Sequence, residues 1–238
     1  MSSVLLMGHG SPSRAARIEL LELRGLLQGA LGRQVALGVL EFAAPGLPAL
    51  AQAFGDLEPG APVAAQPLLL FDGLHGRHDM PREAASAAAR FGLKVRLGSP
   101  IGAEPALIEQ AVRRIAQHPS RAGDVLVFVG RGSSLASALE QTQSVGAWIA
   151  REAGLAHVVC HAGISSPDPA AGVALAAPGA RRVLVLPWLI HTGLLLERVR
   201  TSTEAAAREL GLDVVQLPHI GNGPELVDVM SKRIEALL

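Results

Sequence analysis

Val4-Leu-Leu-Met-Gly-His-Gly-Ser11 is matched in pattern by Leu126-Val-Phe-Val-Gly-Arg-Gly-Ser133, 122 positions later (9 to 131). Each segment is a short apolar run closed by Gly-X-Gly-Ser. That is how a buried strand ends when a glycine turn hands it to a helix. Further on, Pro67-Leu-Leu-Leu-Phe-Asp-Gly73 reads against Pro187-Trp-Leu-Ile-His-Thr-Gly193, at an offset of 120 (67 to 187). Ile101-Gly102, Pro105, Leu107 and Arg114-Ile115 read against Ile220-Gly221, Pro224, Leu226 and Arg233-Ile234, at an offset of 119 (101 to 220). Three collinear matches with a slowly drifting offset mark an internal duplication. The halves are read as 1–117 and 118–238, joined through the loop His118-Pro-Ser-Arg-Ala-Gly123.

Within each half, short β-rich runs alternate with stretches of helical period. Strands are expected near 3–8, 34–40, 62–71 and 93–97, and again near 124–130, 156–161, 181–190 and 213–217. Helices are expected near 12–30, 46–55, 80–91 and 103–117, then near 134–153, 168–176, 194–210 and 223–237. Strands that are apolar almost throughout imply parallel sheets covered on both faces. The expected fold class is therefore α/β: two homologous doubly wound domains, each a mainly parallel four-stranded sheet flanked by helices, with a cleft between them.

Composition narrows the function. Hydrophobic residues make up 49% and charged residues 18%, which excludes a disordered chain. The opening MSSVLLMGHG has no basic n-region and reads as a strand, not a signal peptide. No apolar run is long enough for a bilayer, so no membrane partner is expected. The single cysteine, Cys160, excludes an internal disulfide, a CxxC redox pair or a cysteine-ligated cluster and suits a cytoplasmic setting. A formal net charge of zero, with 3% aromatics and no tyrosine, argues against nucleic acid.

Ligands of such sheets bind beyond the carboxyl ends of the strands. Three polar residues of the first half fall there: His9 after strand 1, Glu41 after strand 2 and His75 past strand 3. Two imidazoles and a carboxylate suit Fe, Co, Ni or Zn, and a neutral imidazole also accepts protons. Bland readings stand beside these. His9 can be a turn residue with Ser11 capping the next helix, Glu41 a surface carboxylate, and His78 a solvated loop residue. Asp79, ahead of Pro81 and Glu83, reads as a helix cap, and His75 falls in a polar glycine loop. The repeat acts as a control. Arg131 stands at the place of His9, Leu195 at that of His75, and Gly163-Ile164-Ser165 at that of Glu41, while the glycines survive in both copies. The metal and proton chemistry is accordingly assigned to the first half.

Leu6-Met-Gly-His-Gly-Ser11, Gly38-Val-Leu-Glu41 with Pro45, and Pro67 to His75 with Asp79-Met-Pro81 together resemble the class II chelatases. These are the sirohydrochlorin cobalto- and ferrochelatases, and the chain is similar to their long, duplicated form. The second motif departs from the family in having Gly38-Val39 where Gly-Phe is more usual. The resemblance implies that His9 and His75 handle metal and protons, with Glu41 assisting. The reaction it implies is insertion of a divalent metal into sirohydrochlorin or a related tetrapyrrole, with loss of two pyrrole protons. Iron, giving siroheme, is favoured over cobalt because no histidine-rich stretch follows the second half. No organic cofactor is implied; the divalent metal, Fe2+ or Co2+, is a substrate. Ser11, Arg14, Arg77 and Arg131 are candidate substrate contacts, with Arg17 and Arg198 as further cations for the carboxylates. Because relatives with one domain pair as dimers, a monomer with pseudo-two-fold symmetry is expected. Two rival readings stand beside this one. A phosphohistidine phosphatase lacks its Arg before His9 here, and a tetrapyrrole or metal carrier would bind without catalysing.

Overall fold

The computed structural model describes residues 2–238. Its strands are β1 (Ser3–Gly8), β2 (Val35–Val39), β3 (Pro62–Pro67), β4 (Lys94–Leu97), β5 (Asp124–Gly130), β6 (Ala156–His161), β7 (Arg182–Pro187) and β8 (Asp213–Gln216). Its helices are α1 (Arg14–Leu31), α2 (Leu50–Gly55), α3 (Met80–Phe91), α4 (Pro105–Ala116), α5 (Ala136–Ala153), α6 (Pro169–Ala176), α7 (Leu194–Glu209) and α8 (Pro224–Glu235). The strands form two four-stranded parallel sheets of identical order, β2-β1-β3-β4 and β6-β5-β7-β8. The α/β class and the two sheets flanked by helices are as the sequence led one to expect.

Local chemistry explains each element. On α1, Ala16, Leu20, Leu23 and Leu27 are buried at spacings of three and four, the stripe of a helix lying on a sheet. Its cap is Ser13, whose Oγ accepts from Ala16 N at 3.4 Å. Ser11 is not the cap; its Oγ accepts from Ser13 N within the preceding turn. β3 and β7 stop at Pro67 and Pro187, short of the apolar runs that suggested 71 and 190. Leu68 and Trp188 each donate one more bond to the central strand and remain buried, so burial there outlasts the strand. α2 begins at Leu50 and not near 46, because Gly46 has φ +77° and Ala44 and Leu47 close a small bridge.

The compact units do not follow the halves 1–117 and 118–238. One unit holds the chain up to Gly102 together with Asn222–Leu238, and the other holds Ala103–Gly221. Helix α4 therefore packs beside α5 in the second unit, and α8 packs beside α1 in the first. An arginine fastens each exchanged helix. Arg114 on α4 donates to the carbonyls of His219 (2.5 Å) and Ile220 (3.0 Å). Arg233 on α8 donates to Ser99 Oγ (3.2 Å) and to the Ile101 carbonyl (2.5 Å). These arginines and isoleucines are the residues matched at the 119-residue offset, so that repeat records one latch used twice.

A polypeptide of residues 103–221 is therefore expected to unfold cooperatively, while 118–238 is not. The second lacks α4, whose Leu107, Ile108 and Ile115 are buried. Each is worth about 1.5–3 kcal/mol, against a typical total of roughly 5–15 kcal/mol. Thermal melts followed by circular dichroism compare the two; equal cooperativity and midpoint would contradict the exchange.

Candidate metal centre

His9 is the first residue past β1 and Glu41 lies two past β2. The parallel ladder continues just beyond the strands: Leu40 N donates to Gly8 O (3.1 Å) and Glu41 N to His9 O (2.9 Å). This fixes the two residues side by side. Gly10 has φ +92°, and a Cβ on it would overlap the Glu41 carbonyl oxygen, so glycine is required for the approach. Phe42 then turns the chain with φ +56°, a left-handed conformation that costs a bulky residue about 1–2 kcal/mol.

His75 does not lie in a loop. His75–Asp79 is a single π-helical turn that runs straight into α3. Turns of this kind recur at functional sites. Asp79 is consequently helical (φ −72°, ψ −51°) and makes no side-chain cap, contrary to the reading from its sequence context. Its carboxylate is instead turned on the site. Oδ2 accepts from His75 Nδ1 at 2.8 Å, and Oδ1 accepts from Arg82 at 3.1 Å. Sequence reasoning missed this role, although the i, i+4 spacing of His75 and Asp79 was a usable signal.

The two imidazoles meet edge to face, with centroids 4.5 Å apart and planes at 74°. His9 Nε2 lies 3.1 Å from His75 Nε2. His9 Nδ1 donates to the Gly10 carbonyl (3.1 Å) and His75 Nδ1 to the Asp79 carboxylate, so both Nδ1 atoms carry the ring hydrogen. When both rings are neutral, each turns an Nε2 lone pair toward the other. Facing lone pairs at this distance repel unless a proton or a metal ion lies between them. With metal–nitrogen bonds of about 2.1 Å, a 3.1 Å separation corresponds to an N–metal–N angle of about 95°, near a cis octahedral pair. Glu41 completes the group: one ligand atom from each of His9, Glu41 and His75 lies within 4.8 Å of the others. Among the described residues no second group of three His, Cys, Asp or Glu side chains is assembled in this way.

The histidines are half-buried and Glu41 is exposed, so the site is open and incomplete, as exchange of a metal demands. An open pocket of about 260 Å³, lined in part by Glu41, His75, Asp79, Arg82 and Glu83, adjoins it. At about 30 Å³ per liquid water, it has room for a hydrated ion.

The three arginines predicted as substrate contacts are all exposed. Arg14 is exposed at the start of α1, and Arg77 is exposed with its Nε donating to Asp72 Oδ2 at 3.0 Å. Arg131 belongs to the other unit, exposed one residue past β5. There Gly163 N donates to Arg131 O at 2.9 Å, repeating the Glu41–His9 bond, so Gly163 occupies the place of Glu41. The histidine at a strand end of that unit, His161, is buried at the close of β6, and desolvation pushes its imidazole below the usual value. It is a neutral core residue, not an open ligand.

Comparison with known proteins bears on the family and the fold. The chain is 27% identical over 191 residues to the sirohydrochlorin ferrochelatase of Priestia megaterium, spanning 76% of this chain and 70% of that protein. In fold it resembles the sirohydrochlorin chelatase SirB of Bacillus subtilis subspecies spizizenii in complex with cobalt, with a TM-score of 0.82 and 20% identity over 99% and 94% of the two chains. SirB from Bacillus subtilis with Fe3+ superposes with a TM-score of 0.83 at 19% identity, over 99% and 95% of the chains. The CbiX family model matches residues 3–118 and again 125–237. Two copies of one family pattern, end to end across the chain, identify this protein as a member of the CbiX family.

Proposed function

We propose that the chain is a sirohydrochlorin chelatase that inserts a divalent metal into the tetrapyrrole and releases two protons. The observation that carries the reading is the pair of Nε2 atoms 3.1 Å apart with Glu41 beside them. Such a site binds a cation weakly enough to give it up. As the ion moves to the macrocycle, the imidazoles it leaves are free to accept the pyrrole N–H protons. His9 and His75 thus serve as metal ligands and bases in turn. Glu41, exposed at the edge, assists in shedding water from the ion or in passing protons to solvent.

Iron is the preferred substrate in this reading and cobalt the competing one, since an imidazole–carboxylate set binds both. No organic cofactor takes part. The chain acts as a monomer in the cytoplasm; no helix among the described residues is long and apolar enough to cross a membrane. Ser11, Arg14, Arg77 and Arg131 contact the substrate, the arginines through its carboxylates.

The test is metal insertion followed by absorbance, with protein well below the concentration of sirohydrochlorin and with Fe2+ and Co2+ compared. The expected result is many turnovers per chain above the uncatalysed rate. Transfer limited to one equivalent would instead identify a carrier.

Arg131→Ala is expected to raise KM for sirohydrochlorin by about tenfold while kcat changes little. A charge-assisted pair is worth about 1.5–3 kcal/mol, and exposure of this side chain places it at the lower end. Unchanged KM with a collapsed kcat would put Arg131 in the chemical step.

A further inference from the structure

Phe42 is 47% exposed and Leu74 48% exposed. Each adjoins a residue of the metal site in the chain: Phe42 follows Glu41, and Leu74 precedes His75. Phe42 is also the one non-glycine residue with positive φ among those described. Neither its exposure nor its backbone favours an aromatic ring there, since glycine or asparagine suits a left-handed turn better. Strain of this kind persists where a site uses it.

The duplication supplies an independent observation. Ile164 follows Gly163 as Phe42 follows Glu41, and Leu194 precedes Leu195 as Leu74 precedes His75. Ile164 is 81% exposed and Leu194 69%. Between the halves the three metal-site residues have become Arg131, Gly163 and Leu195, yet both neighbours remain large, apolar and exposed. Of the eight large apolar side chains exposed among the described residues, four are at these two positions. Metal ligation does not explain the pattern, because it is kept where the ligands are lost.

We infer that Phe42 and Leu74 are positioning residues on which the flat apolar face of the tetrapyrrole rests, setting its pyrrole nitrogens over His9 and His75. This deepens the chelatase reading and rests on it. A macrocycle offers a broad unsaturated face with its charges confined to the rim, so its centre calls for apolar contact and its edge for arginine. Phe42 gives ring-on-ring contact beside Glu41, and Leu74 gives the same kind of surface beside His75. Neither touches the metal in this scheme, so their loss weakens substrate binding and leaves the ion's affinity alone.

The experiment uses the full chain and the variants Phe42→Gly and Leu74→Ser, with three readouts: binding of metal-free sirohydrochlorin by fluorescence, binding of Co2+ by titration, and the thermal midpoint. Phe42→Gly is expected to weaken sirohydrochlorin binding about tenfold, the scale of a partly buried ring. Its Co2+ affinity stays within about twofold, and its midpoint is unchanged or higher because glycine takes the positive φ freely. Leu74→Ser weakens sirohydrochlorin binding less, by about fivefold, with Co2+ binding again unmoved. If the unaltered protein binds sirohydrochlorin and both variants bind it equally well, the inference is overturned and the chelatase reading stands. If the unaltered protein neither binds nor metallates sirohydrochlorin, the chelatase reading fails first and this inference with it.

Discussion

Alanine in place of His9 or of His75 is expected to lower metal insertion by at least ~100-fold each, the scale of losing a positioned acid–base group. The reason lies in the 3.1 Å contact between the two Nε2 atoms. Removing one ring leaves a single imidazole with Glu41, so the ion loses a ligand and the departing pyrrole proton loses an acceptor. Both effects fall on the same step. Because the rings act as a unit, the double variant is expected to be little worse than either single one. The folded state is expected to survive, since both side chains are half-buried at a sheet rim and the core beneath is formed by Leu5, Met7, Leu50, Phe54 and Met80. Steady-state insertion rates, with circular dichroism as the control for folding, decide the matter. A single variant that is folded and turns over near the unaltered rate would remove that histidine from the site.

Much of this arrangement is legible in the sequence, and the boundary of what is legible has physical causes. Strand runs such as Val4–Met7 and helix stripes such as Leu20, Leu23 and Leu27 carry period and burial in the local sequence, so they read directly. The parallel order followed from the alternation of strand and helix, and it places every strand end on one rim. That brought His9, Glu41 and His75 together although 66 residues separate the two histidines. The exchange of α4 and α8 was not legible. Both helices were placed correctly along the chain, but an amphipathic stripe states that a helix is buried, not which sheet buries it. Arg114 and Arg233 were visible as a repeated match, yet a cation near a helix end looks the same whether it is solvated or latched to carbonyls. The π-turn was hidden for a similar reason. Pro81 and Glu83 resemble the start of a helix, and they occupy the start of α3, but nothing in the residue types announces that the helical path begins earlier, at His75.

That hidden turn leads to the second large effect, at Asp79. Asp79→Ala is expected to cut insertion by about 10- to 100-fold, the range seen when a carboxylate supporting a ligating histidine is lost. The carboxylate does two things to His75. It holds the ring in the orientation that faces His9, and by accepting from Nδ1 it keeps the ring hydrogen there, so that Nε2 stays available as a lone pair. Without it the ring can turn, and the tautomer with hydrogen on Nε2 becomes populated, so that the nitrogen facing His9 can neither ligate nor accept a proton. Asp79→Asn separates these roles. An amide oxygen still accepts from Nδ1, so orientation is largely kept, but the negative charge that strengthens the bond is gone. A loss of about tenfold is expected for asparagine, between alanine and the unaltered protein. Both variants are expected to weaken Co2+ binding while leaving the affinity for metal-free sirohydrochlorin unchanged, a split that a general loosening of α3 would not produce. Loss of the Arg82 contact to Oδ1 adds little, since that guanidinium is exposed. The decisive comparison is Co2+ titration beside sirohydrochlorin binding for both variants. Equal weakening of the two affinities, or full activity in Asp79→Ala, would return Asp79 to a purely structural role within the π-turn.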